Sequence, residues 1–581
     1  MILQALCAYY DRLKDDPQTG IAEFGYSVQK ISFEVVLNDD GSLHAIEDAR
    51  QQDGKNLISQ SLIMPGGAKP SGSGINPCFL WDNTGYMLGF KPDDTKPERT
   101  AQTFEAFREK HLALQDSIDD PEFVAVCRFL TDWNPAEAPS HDVLNEIGGG
   151  FGVFRIRGQK HRVHERDAVQ NWWREQLAAQ GAEDAALGQC LITGETGPLA
   201  RLHEPKVKGV RGAQSSGAAL VSFNFDAATS YGKEQSVNSP VSQQAAFQYC
   251  TALNMLLQSG SQQRIQIGDG TTVFWTEQPT AAESFMGMVL GGPATEDEAL
   301  LSQLNALLKA IAAGNRPPEL GDPDTRFFIL GLSPNAARIS IRFWHVSTLG
   351  QMVEHLRMHF SDLAIVRSRD RDPEFPYIWQ LLRETARESK DVPPQLSGVL
   401  MRAIVTGTLY PDALASAVIR RIRADREMNY LRAAILKAWL TRHSRFDSHP
   451  LDKEIATMLD VERSEPAYHM GRLFAALEKA QEDALKGINA TIKDRYFGAA
   501  SATPGSVFPR LIRLSQHHLA KLETGAKIHR ERNIQEICGR INEFPSHLNL
   551  RDQGLFAIGY YHQRQDFFTK KLAPESPSDE E

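Results

Sequence analysis

The sequence has no CxxC pair. Its six cysteines, Cys7, Cys78, Cys127, Cys190, Cys250 and Cys538, are scattered, which gives neither zinc-knuckle spacing nor a disulfide framework and leaves buried packing as their expected role. No apolar run approaches the length that spans a bilayer, and the opening MILQALCAYYDRLKDD lacks a basic segment and a cleavage site. A cytoplasmic protein without membrane contact is expected. Catalytic signatures are missing too. GQCLITGE has the glycines but not the GKS or GKT of a phosphate loop, and neither HExxH nor GxSxG occurs. His141-Asp142 is a bare dipeptide without the further histidines of a metal site, and GGGFG at 148–152 fails the GxGxxG spacing. Cys190 beside His203 would be a nucleophile only if the fold paired them. No catalytic residue, metal or cofactor is therefore expected.

What is present is an ordinary globular composition, 41% hydrophobic and 23% charged over 581 residues, long enough for two to four units. Net charge is −10, yet it is unevenly spread: from Gln395 onward 27 Lys and Arg face 23 Asp and Glu, and Val399 to Phe446 holds nine basic residues against three acidic. Local patches rather than the sum decide phosphate binding.

The pattern predicts an α+β fold: a large mixed α/β region over 1–350, a basic helical connecting region over 351–457, and an all-α C-terminal bundle over 458–581 with an acidic tail from about 573. VQKISFEVVLNDDGSLHAI reads as a hairpin turning at Asn38–Gly41. GFGVFRIRG, ALVSFNF, TTVFWTE and ARISIRFWHV read as strands, and from Leu349 the spacing is helical throughout. MGRLFAALEKAQEDALKGINATIKDRYF is expected to carry one apolar stripe, with Arg472, Lys479, Lys486 and Lys493 seven residues apart along one side. That side is either a rail for a phosphate backbone or a solvated face.

EPKVKGVRGAQSSG at 204–217 is open and basic, and buries almost nothing. Ordering so many glycines is entropically costly, so a ligand is expected to offset it. Lys206, Lys208 and Arg211 suit phosphate, and Gln214, Ser215 and Ser216 suit polar or base edges. SYGKEQSVNS adds Lys233, Gln235 and Asn238. A second open loop, GGAKPSGSGINP, offers Lys69, Ser71, Ser73 and Asn76 to DNA or guide RNA, or is a plain surface loop.

The stretches CLITGETGPLARLHEPKVKGVRGAQSSG with its continuation to QQAAF, FILGLSPNAARISIRFW and IRRIRADREMNYLRAAILKAWL resemble the large subunit of type I-C CRISPR interference complexes (Cascade), the Csd-one or Cas-eight-c family. The resemblance runs over essentially the whole chain. It implies a non-catalytic subunit of a ribonucleoprotein complex for antiviral defence, bound to crRNA near its 5′ handle. Such a subunit reads the protospacer-adjacent motif (PAM, TTC-like in the family) in double-stranded DNA, promotes the R-loop, guides the displaced single strand and recruits the helicase-nuclease. Its partners would be the backbone, handle-binding and small subunits, the last started internally, with Met458 preferred over Met470. A metal-dependent nuclease and a crRNA-processing scaffold are the alternatives.

Overall fold

The computed structural model describes residues 1–16, 18–54, 56–69, 74–183, 186–223, 225–267, 270–292, 298–447 and 450–568. The chain divides into two units: Met1–Gly209 with Ala213–Ser259 and Asn335–Ile339, and Val210–Gly212 with Gly260–Pro334 and Ser340–Glu581. Residue 350 lies inside the second of them. The fold is α+β, and among the described residues no strand follows Thr348. The expected acidic tail lies outside the described residues.

In the first unit the strand Tyr26–Leu37, apolar enough to bury a continuous run from Ile31 to Leu37, is the hub of a five-stranded sheet. Leu43–Asp48 pairs antiparallel with its second half and Gln60–Pro65 with its first, while Phe151–Ile156 runs parallel along the other edge. The turn at Asn38–Gly41 forms as read. Gly41 has φ +89°, and a Cβ there would lie 2.8 Å from the Ala125 carbonyl, so this turn needs glycine. Helices Pro97–Leu112 and Pro121–Asp132 supply Phe104, Phe107, Phe123 and Leu130 to the core beneath. Helix Gln243–Leu257, capped by the Ser242 hydroxyl accepting from the Ala245 N–H, packs on Ile2–Lys14.

ALVSFNF does not become a strand. Its described residues make one bridge, Ala219 with Arg338. An alternating pattern needs a continuous neighbouring ladder, and none is provided here.

The second unit has an antiparallel sheet in the order Arg264–Ile267, Gly270–Thr276, Arg326–Asn335, Arg338–Thr348, whose Phe274, Phe327 and Ile329 join one core that continues through the helices to Tyr561. Helices Pro466–Ala484 and Leu550–Phe568 cross backbone to backbone, glycine against helix at both contacts: a Cβ on Gly471 would fall 1.9 Å from the Phe556 carbonyl oxygen, and one on Gly559 2.0 Å from that of Tyr468. The single helix expected from 470 to 497 is in fact two, Pro466–Ala484 and Ile492–Ala500. Gly487 at φ +78° turns the chain, and Thr491 starts a new helix through a capping box with Asp494.

Candidate nucleic-acid interface

The glycine-rich loop is tied to helix Gln243–Leu257. Asn254 on that helix accepts from the Lys208 N–H at 2.8 Å and donates to the Lys206 carbonyl at 3.1 Å. Val207 and Ala218 exchange two backbone hydrogen bonds of 2.9 and 2.8 Å, closing the loop. Gly217, at φ +103°, passes so near Lys206 that a Cβ would lie 2.6 Å from the lysine's own. The segment after the loop returns beside its start: the Ala200 N–H donates to the Val241 carbonyl at 2.9 Å, and the Ser236 hydroxyl donates to the Arg201 carbonyl at 2.5 Å. Residues 206–209, 213–217 and 230–238 thus rise from one braced base.

That base displays cations and amides. Lys206, Lys208, Gln214, Ser215, Ser216, Lys233 and Gln235 are all exposed. Among the described residues none of the three lysines makes an ion pair, so their charge is available to an anion. Arg211 is exposed as well, but it belongs to the stretch Val210–Gly212 of the second unit, where its N–H donates to the Thr271 hydroxyl at 3.4 Å. Asn238 departs from expectation. Its amide nitrogen donates to the carbonyls of Lys233 at 2.8 Å and Gln235 at 3.1 Å, so these donors brace the loop instead of facing a ligand.

The second loop also differs from its reading. Lys69 is paired with Asp82, lies 3.2 Å from the centroid of the Tyr86 ring and donates to the Asn76 carbonyl at 2.9 Å. Asp82 is fully buried, and burial pushes its carboxyl up against the opposing pull of the Cys78 N–H and Lys69. A lysine neutralising a buried acid has little charge left for phosphate. Asn76 keeps an exposed side chain, and Ser71 and Ser73 lie outside the described residues.

The seven-residue charge stripe is not a rail. Arg472 is 2% exposed, donating to the Gln563 side chain at 2.9 Å and bonded to His469 at 3.1 Å. Lys479 is paired with Asp483 at 2.8 Å. Lys486 is exposed beyond the end of the first helix, and Lys493 is half-buried on the second. Of the nine basic residues of 399–446 five are spent within the fold: Arg432, Lys437 and Arg442 are buried, with Arg442 held by Asp362 at 2.7 Å, and Arg421 and Arg445 are in ion pairs, whereas Arg402, Arg420 and Arg426 are exposed.

A different stripe carries exposed charge. Helix Pro504–Leu519 contains no acidic residue, and its Arg510, Arg513 and His517, followed by Lys521 just past its end, are exposed at spacings of three, four and four. Among the described residues none of these is in an ion pair. The spacing was legible in RLIRLSQHHLAKL, which the expected rail on the preceding helices overshadowed.

Cys190 and His203 have separate partners. The Cys190 sulfur accepts from the Ser242 N–H at 3.2 Å; burial opposes ionisation, but the N–H groups of Ser242, Thr193 and Ile192 bring the thiol down to about 7. His203 shares a 2.6 Å hydrogen bond with the Tyr249 hydroxyl, and burial holds its pKa down to about 4. Among the described residues no cluster of three or more His, Cys, Asp or Glu is placed to hold a metal ion, and no helix is long and apolar enough to cross a membrane.

No curated protein matches the chain. The profile of the CRISPR-associated protein (Cas_Csd1) family matches residues 6–568, nearly the full length, and the chain therefore belongs to that family of CRISPR-associated proteins, subunits of the crRNA-guided Cascade complex.

Proposed function

We propose that this chain is the large subunit of a type I-C Cascade and reads the PAM with the braced loops at 206–217 and 230–238. The observation that carries this reading is the combination of unpaired lysines with exposed amides on a rigid base: Lys206, Lys208 and Lys233 reach phosphate, while Gln214 and Gln235 reach base edges. Asn238 holds the loop in shape. Guide pairing supplies the long sequence match and the protein supplies the short one. The chain opens the duplex, holds the displaced strand and recruits the helicase-nuclease, without chemistry of its own. Functionally, residues 1–350 serve the PAM and the guide handle, 351–457 connect, and 458–581 are equivalent to the small subunit.

Two details refine this reading. The strand path lies along Arg510, Arg513 and Lys521 with His517 between them, because these side chains are exposed and the cations unopposed, where Arg472 and Lys479 on the preceding helix are engaged within the fold. An internally started small subunit begins at Met458, giving 124 residues. Met458 is exposed and lies ahead of helix Pro466–Ala484, whereas Met470 is buried within it. A start at Met470 would delete Tyr468, whose hydroxyl bonds His562 at 2.9 Å and whose carbonyl faces Gly559.

The test uses the assembled complex on PAM-bearing and PAM-less duplexes over a range of salt. Lys206→Ala should weaken both and lower the salt slope by about 0.9, one phosphate contact. Gln214→Ala or Gln235→Ala should cost PAM duplex preferentially, by about 1–3 kcal/mol. Equal losses on the two duplexes for both amides would remove base reading from these loops. Cleavage of duplex by this chain alone with magnesium or manganese would favour a nuclease, and tighter binding of the crRNA repeat than of duplex a processing scaffold.

A further inference from the structure

Tyr231 is 99% exposed, with its backbone in the left-handed region at φ +51°. It sits at the tip of a two-residue hairpin: Ser230 and Lys233 form an antiparallel bridge, the Lys233 N–H donates to the Ser230 carbonyl at 2.9 Å, and Gly232 follows with φ +71°. Positive φ at both central residues is the pattern of the type I′ turn, for which Asn-Gly is the favoured pair and tyrosine is poorly suited. A bulky ring has therefore been placed where the backbone resists it and where it touches nothing. Four residues on, Gln235 repeats the departure at φ +49°. Backbone outliers held by a braced surrounding point to a working position.

The ring's neighbours decide what it works on. The flanking Ser230, Gly232, Lys233 and Glu234 are exposed and carry no apolar side chain, unlike the apolar surround that frames an aromatic anchor at a protein interface. An isolated flat ring on a tight turn, with an unpaired lysine two residues away, fits an unstacked nucleobase with its phosphate alongside. We infer that Tyr231 is a stacking wedge: its ring occupies the face of the first base exposed when the duplex separates beside the recognition loops, while Lys233 holds the adjoining phosphate. This rests on the DNA-reading function proposed above. A closed duplex gives the ring no face, so its contribution belongs to opening and not to the initial encounter.

The experiment uses the assembled guide complex and two duplexes, both with the recognition motif. One matches the guide and carries 2-aminopurine at the first position to open, and the other does not match and stays closed. Tyr231→Asn removes the ring while relaxing the turn, so folding is not at risk. It should reduce opening of the matched duplex roughly 10- to 100-fold, the range expected for one lost base stack, and leave binding of the mismatched duplex within about twofold. Tyr231→Phe and Tyr231→Trp should open DNA like the parent. Normal opening by Tyr231→Asn overturns the inference, as does a Phe variant as poor as Asn, which would assign the work to the hydroxyl. Failure of Tyr231→Asn to assemble with the other subunits would assign the ring to a protein contact and overturn it equally. If the parent complex binds neither duplex, the DNA-reading function itself falls, and the wedge with it.

Discussion

Replacing Gly559 by alanine tests whether the C-terminal bundle is held by the glycine crossing. The new Cβ would lie 2.0 Å from the Tyr468 carbonyl oxygen and 2.8 Å from its carbon, about 1.4 Å inside ordinary contact with the oxygen. Both atoms are backbone, so no rotamer change relieves the clash, and helices Pro466–Ala484 and Leu550–Phe568 must separate. Separation loosens Leu473, Phe474, Phe556 and Tyr560, all at most 3% exposed. Overpacking usually costs about 1–3 kcal/mol. Two rigid backbones and four core side chains put this case at about 3 kcal/mol or more, a fall of roughly 6–12 °C in Tm at about 2–4 °C per kcal/mol for a large domain. Gly525→Ala is the matched control. That glycine, in helix Thr524–Cys538, has open space where its Cβ would go, so the same chemical change should be neutral or stabilise by up to about 1 kcal/mol. Thermal and urea unfolding of the full chain measure both. A Gly559→Ala protein melting within about 2 °C of its parent would refute the crossing argument.

Other consequences can be measured independently. Asp362 is fully buried between Arg442 and Arg445, so Asp362→Ala strands a buried guanidinium and should cost about 3–5 kcal/mol by urea unfolding; a loss under about 1 kcal/mol would show that water reaches the pair. Burial holds His359 and His562 neutral, with pKa values down to about 3. The unfolded chain takes up protons from about pH 6.5 that the native chain refuses, so stability should fall by about 1.4 kcal/mol per histidine for each pH unit from 6.5 toward 3. Unfolding free energy that is flat from pH 6.5 to 5 would contradict this sign. Changing Arg510, Arg513 and Lys521 together to glutamine should leave Tm nearly unchanged and lower the salt slope for single-stranded DNA by about 2, at about 0.7 per contact. Unaltered permanganate reactivity of the displaced strand would end that strand path.

The sequence was most readable where local chemistry decides the outcome. The hairpin at Asn38–Gly41 and the helical final third follow from turn residues and spacing alone, and the braced loops announce themselves by lysine, glycine and amide. It was least readable where a partner distant in sequence decides. ALVSFNF alternates like a strand but lacks a neighbouring ladder. Arg442 counted as surface charge until Asp362, eighty residues earlier, was found against it, and Arg472 until Gln563 was. Lys69 looked free in a glycine-rich loop, although its acid lies only thirteen residues on.

The misreadings of charge share one physical cause. A basic residue reads the same on a helix whether its head group reaches water or turns inward to an acid, and burial without a partner is too costly to occur. Finding the partner is therefore what converts a count of charges into a surface. Applied to the expected and observed sites, that criterion removes Lys69, Arg442, Arg472 and Lys479 from the available cations and keeps, among others, Lys206, Lys208, Lys233, Arg510 and Arg513. These five fall in two groups of different chemistry. In the first, lysines alternate with amides and an exposed ring on rigid turns, which suits reading a short stretch of duplex and starting its separation. In the second, cations follow one helix face, about 16 Å from Arg510 to Lys521 at roughly 1.5 Å per residue, which suits a strand whose sequence is not read. Base reading and strand holding thus call for different side chains, and the proposed sites for them lie on separate segments, so each can be removed by substitution while the other is measured.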